Sequence, residues 1–135
     1  MAKTIFTKIL NREIPAHFIY EDEFCAAILD KFPTVKGQSL VIPKEEIPYA
    51  FDLDDDTYIH LFKIAKKIAK ASDKALDAKR TCLAIEGFDV PHVHVKIYPM
   101  QSTEKGLGAF LMPGDEASDE ELAIIATQIQ AALED

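Results

Sequence analysis

The chain has 135 residues, of which 48% are hydrophobic and 28% are charged, proportions typical of a globular protein rather than a disordered or fibrous one. Its length is that of one domain. The formal net charge is −8, from 15 basic and 23 acidic side chains, which argues against the phosphate backbone of a nucleic acid as the partner. A local basic pocket for a small anionic ligand remains compatible with this charge.

Long apolar segments are missing from the sequence. No stretch approaches the roughly 20 apolar residues that a membrane-spanning helix needs. Residues 1–6 lack the long apolar centre of a secretory signal. Cys25 and Cys82 lie far apart and form neither a disulfide framework nor a closely spaced cysteine pair. We therefore expect a cytoplasmic protein that does not bind membranes.

The first half of the chain predicts a helix followed by three strands. Apolar residues at helical spacing over residues 5–10 predict a short helix. Residues 17–20 and 24–29 are predicted to be two strands joined by a polar turn. Residues 38–42 are predicted to form a third strand that ends at Pro43.

The second half predicts a long helix and two further strands. Three aspartates at residues 54–56 suit the start of a helix, because acidic side chains stabilise the positive end of its dipole. An apolar stripe continues from there to Leu76. Residues 80–86 and 92–98 are predicted to be the fourth and fifth strands, with Pro99 ending the fifth.

The remaining residues predict an irregular segment and a last helix. Residues 100–117 have little periodicity and are predicted to be a loop or covering arm, whereas residues 118–135 carry a capping box and an apolar stripe. The order of elements predicts one α+β domain over residues 1–135. Its core, at residues 1–99, would be a mostly antiparallel five-stranded sheet covered by helices.

The most informative segment is residues 91–99, where polar and apolar side chains alternate. In a strand, alternate side chains share one face and lie about 7 Å apart. One face would carry His92, His94, Lys96 and Tyr98, and the other would carry Val93, Val95 and Ile97. Two imidazoles beside an ammonium can bind phosphate, supply a nucleophile for attack on phosphorus, or hold a metal ion through the two histidines. A polar strand face without chemical function has the same pattern.

A metal site would need a third ligand, and His17 and His60 are the other histidines. His60 lies off the apolar stripe of the long helix and is expected to face solvent, and His17 stands in no recognisable pattern. The ammonium of Lys96 would oppose the binding of a metal cation. These observations weaken the metal alternative but leave it open.

The sequence resembles the histidine triad (HIT) family of small nucleotide-binding proteins over nearly its whole length. Matching segments lie at residues 5–16, 20–22, 28–30 and 40–44, together with the motif His-φ-His-φ-His-φ-φ, where φ is apolar, which reads HVHVKIY at residues 92–98. The connection before the motif resembles that of a branch with a short loop. The resemblance implies a HIT-like α+β fold, and a homodimer in which two sheets join edge to edge.

The resemblance also implies roles for the residues of the motif. His94 matches the family's nucleophile, which attacks the α-phosphorus and forms a nucleotidyl-histidine intermediate that water then hydrolyses. His92 matches the histidine that orients the nucleophile. Lys96 replaces the third histidine, and Gln38 replaces a further histidine of the family's site. Because neither replacement transfers protons as imidazole does at pH 7, nucleotide binding should survive better than turnover.

The family's nucleoside pocket is matched in part. Asp30 matches the acidic residue that binds the ribose hydroxyls, and its two oxygens suit a cis-diol. The residues that match the base pocket are Ile5, Phe6, Ile9, Ile28 and Leu29, all of which also suit plain core packing. Asp89, just before the motif, would repel phosphate and receives no role.

The resulting prediction is a purine nucleotide-binding hydrolase of the HIT type that acts at a nucleoside α-phosphate, without a cofactor and with weakened activity. The alternative is a non-catalytic nucleotide-binding or regulatory protein with the same fold. A metal site at His92 and His94 is the third and least favoured hypothesis.

Overall fold

The computed structural model describes residues 3–133 and contains one five-stranded antiparallel sheet. The strands are β1 (Phe18–Glu21), β2 (Cys25–Leu29), β3 (Ser39–Pro43), β4 (Arg80–Ala84) and β5 (Val95–Met100). The α-helices are α1 (Ile5–Leu10), α2 (Asp55–Leu76) and α3 (Asp119–Leu133), with short 3-10 helices at Ala50–Asp52 and Leu107–Phe110. The strand order is β1-β2-β3-β5-β4, and every neighbouring pair is antiparallel. The predicted α+β class, five-stranded sheet and three helices are confirmed.

The two long helices begin at capping residues that the sequence indicates. The Asp54 carboxylate accepts a hydrogen bond from the Thr57 amide at 2.7 Å and so caps α2. At the start of α3, the Ser118 hydroxyl accepts from the Glu121 amide at 3.2 Å. None of the helices in the described range is long and apolar enough to cross a membrane.

The sheet has two differently covered faces. The larger core lies on one face, where α2 and α3 pack on side chains that include Val41, Val95 and Ile97. On the opposite face, Phe6 and Ile9 of α1 form a smaller core. The sheet residues of that smaller core are Ile28, Leu40 and Ile42. Because α1 covers only part of this face, room is left there for a ligand beside the sheet.

The fifth strand differs from its prediction at both ends. β5 begins at Val95 instead of His92, because the backbone amides of His92 and Val93 donate to the carbonyls of Val90 and Ile47 rather than to a neighbouring strand. It also continues through Pro99, which was expected to end it. Beyond Ile97 it pairs with β4 but no longer with β3, so the missing N–H of proline leaves no sheet hydrogen bond unmade.

Candidate active site

A cavity of about 780 Å³ opens on the face of the sheet that α1 covers in part. This volume is within the range of small-molecule sites. The predicted site residues that line it are Ile5, Phe6, Ile9, Ile28, Leu29, Asp30, Gln38, His94 and Lys96. Leu29 stands at its edge, since its side chain belongs mainly to the larger core. The residue of the predicted site that does not line the cavity is His92.

His94 is 2% exposed and lies at the wall of the cavity. Its Nδ1 atom is 2.7 Å from the backbone carbonyl oxygen of His92. Because a carbonyl oxygen only accepts hydrogen bonds, Nδ1 must carry the proton, and the lone pair of the neutral ring is on Nε2. Nε2 is on the cavity side, 3.9 Å from the carboxylate of Asp89. Burial lowers the pKa of His94, and the charge of Lys96 acts in the same direction, so the ring is neutral at pH 7.

His92 is completely buried, and both of its ring nitrogens are already bonded. Nε2 donates to the carbonyl oxygen of Pro43 at 2.8 Å, so Nδ1 accepts from the hydroxyl of Thr4, also at 2.8 Å. The carboxylate of Glu46 in turn accepts from the Thr4 amide at 2.8 Å and from the Thr7 hydroxyl at 2.7 Å. Burial lowers the pKa of His92, against smaller opposing effects of the hydrogen bond to Pro43 and of the charge on Glu46. The predicted alternation is kept in part: Val93, Val95 and Ile97 lie in the larger core and both imidazoles contact Phe6 on the other side, but His92 precedes β5 and does not line the cavity.

Phe6 packs against both imidazoles. Its ring centre is 4.6 Å from that of His94 and 5.9 Å from that of His92, in tilted and edge-on orientations. Phe6 lies on α1, whose N-terminal turn is held by the bonds from Thr4 to His92 and Glu46. The apolar wall of the cavity and the orientation of the two histidines therefore depend on the same short helix.

Lys96 lies opposite Leu40 of β3 and Ala84 of β4, with its side chain 12% exposed. Its ammonium donates to the carboxylate of Glu86 at 3.1 Å. Burial alone would lower the pKa of Lys96, but the hydrogen bond to Glu86 and the neighbouring acidic groups together outweigh it and raise the pKa, so the side chain stays charged. The cation beside His94 is thus partly neutralised by Glu86.

Asp30 and Gln38 form a second polar corner of the cavity. One oxygen of Asp30 accepts from the Gln38 side-chain amide and the other from the backbone amide of Phe32, both at 2.8 Å. The carbonyl oxygen of the Gln38 side chain accepts from the Thr34 amide at 2.8 Å. Gln38 therefore fixes the Asp30 carboxylate, and each oxygen of that carboxylate keeps a lone pair for a further donor.

The comparisons with known proteins decide the family. The sequence matches the HIT domain over residues 11–103, more than half of the chain. The chain belongs to the histidine triad family. A relative from Schizosaccharomyces pombe named adenosine 5′-monophosphoramidase is 32% identical over 130 residues, which cover 96% of this chain and 97% of the relative. A Saccharomyces cerevisiae protein of the same name is 31% identical, over 98% of this chain and 84% of its own length.

Solved structures of other HIT proteins share the fold. A HIT-like protein from Bartonella henselae, described as involved in cell-cycle regulation, superimposes with a TM-score of 0.84 at 30% identity and covers 96% of both chains. A protein from Sulfolobus tokodaii described as a hypothetical histidine triad nucleotide-binding protein gives a TM-score of 0.82 at 31% identity, over 96% of this chain and 91% of its own.

The two histidines outside the HIT motif do not approach it as metal ligands. His17 lies 3.0 Å from the carboxylate of Asp119 at the cavity. His60, expected to face solvent, is only partly exposed, and its Nε2 lies 2.6 Å from Asp22. Within residues 3–133, the group of potential metal ligands found close together is Asp22, Cys25 and His60. Since both ring nitrogens of His92 are bonded to protein oxygens, a metal site at His92 and His94 would have to break one of those bonds.

Several functional residues were missed by sequence reasoning. Thr4 and Thr7 are ordinary polar residues in sequence and become significant only through their contacts with His92, and Glu46 through its bonds to both threonines. Glu86 is recognised only once the sheet register is known, because it lies two residues beyond Ala84, which faces Lys96 across the antiparallel pair. Asp89 was noted for its charge, but its approach to His94 depends on the path of the connection.

Proposed function

We propose that this HIT protein binds a purine nucleotide and hydrolyses the bond between its α-phosphorus and a leaving group, with His94 as the nucleophile. The observation that carries the proposal is the 2.7 Å contact from Nδ1 of His94 to the His92 carbonyl, which leaves the lone pair on Nε2 beside the cavity. The yeast relatives named adenosine 5′-monophosphoramidase support the same chemistry.

The reaction proceeds in two displacements on phosphorus. The lone pair of Nε2 attacks the α-phosphorus, and the bond to the leaving group breaks with its electron pair going to that group. The nucleotidyl-imidazole keeps its Nδ1 proton, which stays bonded to the His92 carbonyl. Water then attacks phosphorus, Nε2 takes back its electron pair, and a nucleoside monophosphate and a proton are released. The ammonium of Lys96 stabilises the negative charge that develops on the phosphoryl oxygens.

The two ends of the cavity suit the two ends of a nucleotide. We place the base among the apolar side chains of Phe6, Ile9 and Ile28 and the ribose hydroxyls at Asp30, with the α-phosphate before His94. In this arrangement Gln38 supports the ribose-binding carboxylate instead of transferring a proton. The absence of an imidazole at Lys96 and Gln38 leads us to expect slow turnover.

We further propose a homodimer formed through β4. This strand ends the sheet and has β5 as its neighbour, and Leu83 on it is 40% exposed. An open strand edge beside an apolar side chain favours pairing with another copy of the same edge. Sedimentation equilibrium of the purified protein checks this: a monomer at micromolar concentration would contradict it.

The test of catalysis uses purified protein, adenosine 5′-phosphoramidate and the variant His94→Ala. We expect the wild type to release adenosine monophosphate and the variant to release none. Quenching in an alkaline denaturant, in which the P–N bond of a nucleotidyl-histidine survives, followed by mass spectrometry should detect a nucleotidyl group on the wild-type peptide that contains His94. Equal product from both proteins would reject His94 as the nucleophile.

The second candidate function is nucleotide binding without turnover. The ion pair between Lys96 and Glu86 favours it, because a neutralised cation does less to stabilise a developing negative charge. Calorimetry with adenosine monophosphate separates the two functions: binding without product supports this second candidate, whereas no binding rejects both.

A further inference from the structure

The connection between β4 and the HIT motif carries two carboxylates that contact Lys96 and His94, two residues of the proposed reaction centre. Glu86 lies 3.1 Å from the ammonium of Lys96, and Asp89 lies 3.9 Å from Nε2 of His94. The Asp89 oxygen nearest His94 also accepts a hydrogen bond from the backbone amide of Val90 at 2.9 Å, which fixes the orientation of the carboxylate. Asp89 therefore lines the cavity beside the position of a transferred phosphoryl group, whereas Glu86 lies behind Lys96 and acts through it.

The net charge of the side chains around this position is unusual for a site that would bind phosphate. With His94 neutral, the nearby charges are one cation, on Lys96, and two anions, on Glu86 and Asp89, which sum to −1. Asp30 and Asp119 add further negative charge to the cavity wall, against one more cation on Lys31. A second phosphate on the leaving-group side would meet net repulsion there.

The side chains of Asp89 and Glu86 are 66% and 39% exposed, and neither belongs to the buried core. Because exposed acids are readily satisfied by water, packing does not require these two to lie beside the site. Their charges are therefore available to act on a molecule bound at Lys96 and His94.

We propose that Glu86 and Asp89 determine specificity by favouring a leaving group that departs as an amine over one that departs as a phosphate. The inference rests on the proposed function. When a P–N bond breaks, its electron pair goes to nitrogen, which takes a proton from solvent and leaves as an amine or ammonium that the carboxylates attract. When a dinucleotide polyphosphate is cleaved, the leaving nucleotide carries additional negative charge that the same carboxylates repel.

The experiment compares two substrates that share the adenosine 5′-phosphoryl group. The kcat/KM values for adenosine 5′-phosphoramidate and for diadenosine tetraphosphate are measured on the wild type, Glu86→Gln and Asp89→Asn. Glu23→Gln is the matched control, because it makes the same charge change at an exposed position in the turn between β1 and β2. The ratio of the two kcat/KM values is the readout, so a general loss of folded protein cancels.

We expect each site variant to shift the ratio toward the dinucleotide by about three- to tenfold, the size of effect expected for a partly exposed charge. Glu86→Gln should also raise the absolute rate on the dinucleotide, because Lys96 is released to bind a phosphate oxygen. The control should keep the wild-type ratio. At about 1 M salt the Debye screening length is about 3 Å, so the difference between the kcat/KM ratios of the wild type and of the variants should shrink.

Two outcomes separate the failure of this inference from that of the proposed function. If the wild type hydrolyses the phosphoramidate and both variants keep its ratio, the specificity role is overturned and the hydrolase remains. If the wild type cleaves neither substrate, the hydrolase and the role of the two acids are rejected together.

Discussion

Nδ1 of His94 and the backbone carbonyl oxygen of His92 lie 2.7 Å apart, so the first histidine of the motif acts on the second through its main chain. The side chain of His92 serves a different purpose. Its two ring nitrogens are bonded to Thr4 and Pro43, which fixes the position of the peptide group that orients His94. The orientation of the proposed nucleophile thus depends on residues that never reach the cavity.

Replacement of Thr4 by valine should show this dependence. Thr4→Val removes the donor to the buried Nδ1 of His92 and the side-chain cap of α1, which should lower the free energy of unfolding by about 1–3 kcal/mol. The kcat for phosphoramidate hydrolysis should fall by about ten- to hundredfold, because the nucleophile is displaced, and KM should rise by a smaller factor, because α1 also carries part of the apolar wall. Urea denaturation and steady-state kinetics measure the two effects.

Thr4→Ser is the control for that variant, since it keeps the hydroxyl and loses only a methyl group. It should retain the wild-type kcat and most of the stability. If Thr4→Val lowers stability but leaves kcat and the pH profile unchanged, the bond to His92 is structural and does not position His94.

The dependence on pH follows from the lowered pKa values of His92 and His94, whose main cause is burial. Unfolded histidine has a pKa of about 6.5, so below that pH the unfolded chain binds protons that the folded protein excludes. Stability due to these rings is fully present above about pH 6.5 and falls as the pH decreases toward their folded pKa values. Protonation of His94 also removes the nucleophilic lone pair, so kcat/KM should decline in acid with an apparent pKa below about 6.5.

Urea denaturation between about pH 7.5 and 5 measures the first effect. The variant His94→Asn should show a shallower decrease in stability over this interval, because it lacks one of the two side chains that bind a proton more readily in the unfolded chain than in the folded protein. An unchanged slope in that variant, or a kcat/KM that rises toward acid, would contradict the neutral state of His94.

The sequence predicts the helices and most strands of this fold because their signals are local. The cap at Asp54 and the apolar stripe of α2 lie within one segment, and the short hairpin of β1 and β2 is bounded by polar residues. The placement of His92 depends instead on contacts with residues 88 and 49 positions away, Thr4 and Pro43, which alternation along the chain does not contain.

The candidate site likewise has residues that the sequence predicts and contacts that it does not. His94, Lys96 and Asp30 were identified from the motif and the family resemblance, and all three line the cavity. The ion pair of Lys96 with Glu86 follows from the register of β4 and β5, which is a property of the sheet and not of either strand alone.

Asp22 links the hairpin of β1 and β2 to α2 and should contribute strongly to stability. One of its oxygens accepts from the amides of Phe24 and Cys25, at 2.8 and 2.9 Å. The other accepts from the Tyr20 hydroxyl at 2.7 Å and contacts His60 at 2.6 Å. Burial and the neighbouring carboxylate raise the pKa of Tyr20 to about 12.

The variant Asp22→Ala leaves these donors without their acceptor and should cost about 1–3 kcal/mol of unfolding free energy, measured by urea denaturation. Glu23→Gln, a substitution at the neighbouring exposed position, should change the free energy of unfolding by less than about 0.5 kcal/mol. Equal stability of the two variants would show that water replaces the carboxylate at no cost.

Asp30 provides the sharpest test of how the nucleotide lies in the cavity. If its carboxylate binds the ribose hydroxyls, Asp30→Asn should weaken the binding of adenosine monophosphate by about ten- to hundredfold, since a hydrogen bond to a charged group contributes about 1.5–3 kcal/mol. The asparagine keeps an oxygen to accept from the Gln38 amide or the Phe32 amide, so the corner should stay folded. Calorimetry measures the affinities.

The matched ligand is 2′,3′-dideoxyadenosine monophosphate, which lacks both hydroxyls. It should bind the wild type more weakly than adenosine monophosphate does, and Asp30→Asn should leave its affinity unchanged, because the lost contact does not exist for this ligand. If the variant weakens both ligands equally, Asp30 acts on the shape or charge of the whole cavity. The proposed contact between Asp30 and the ribose hydroxyls is then wrong.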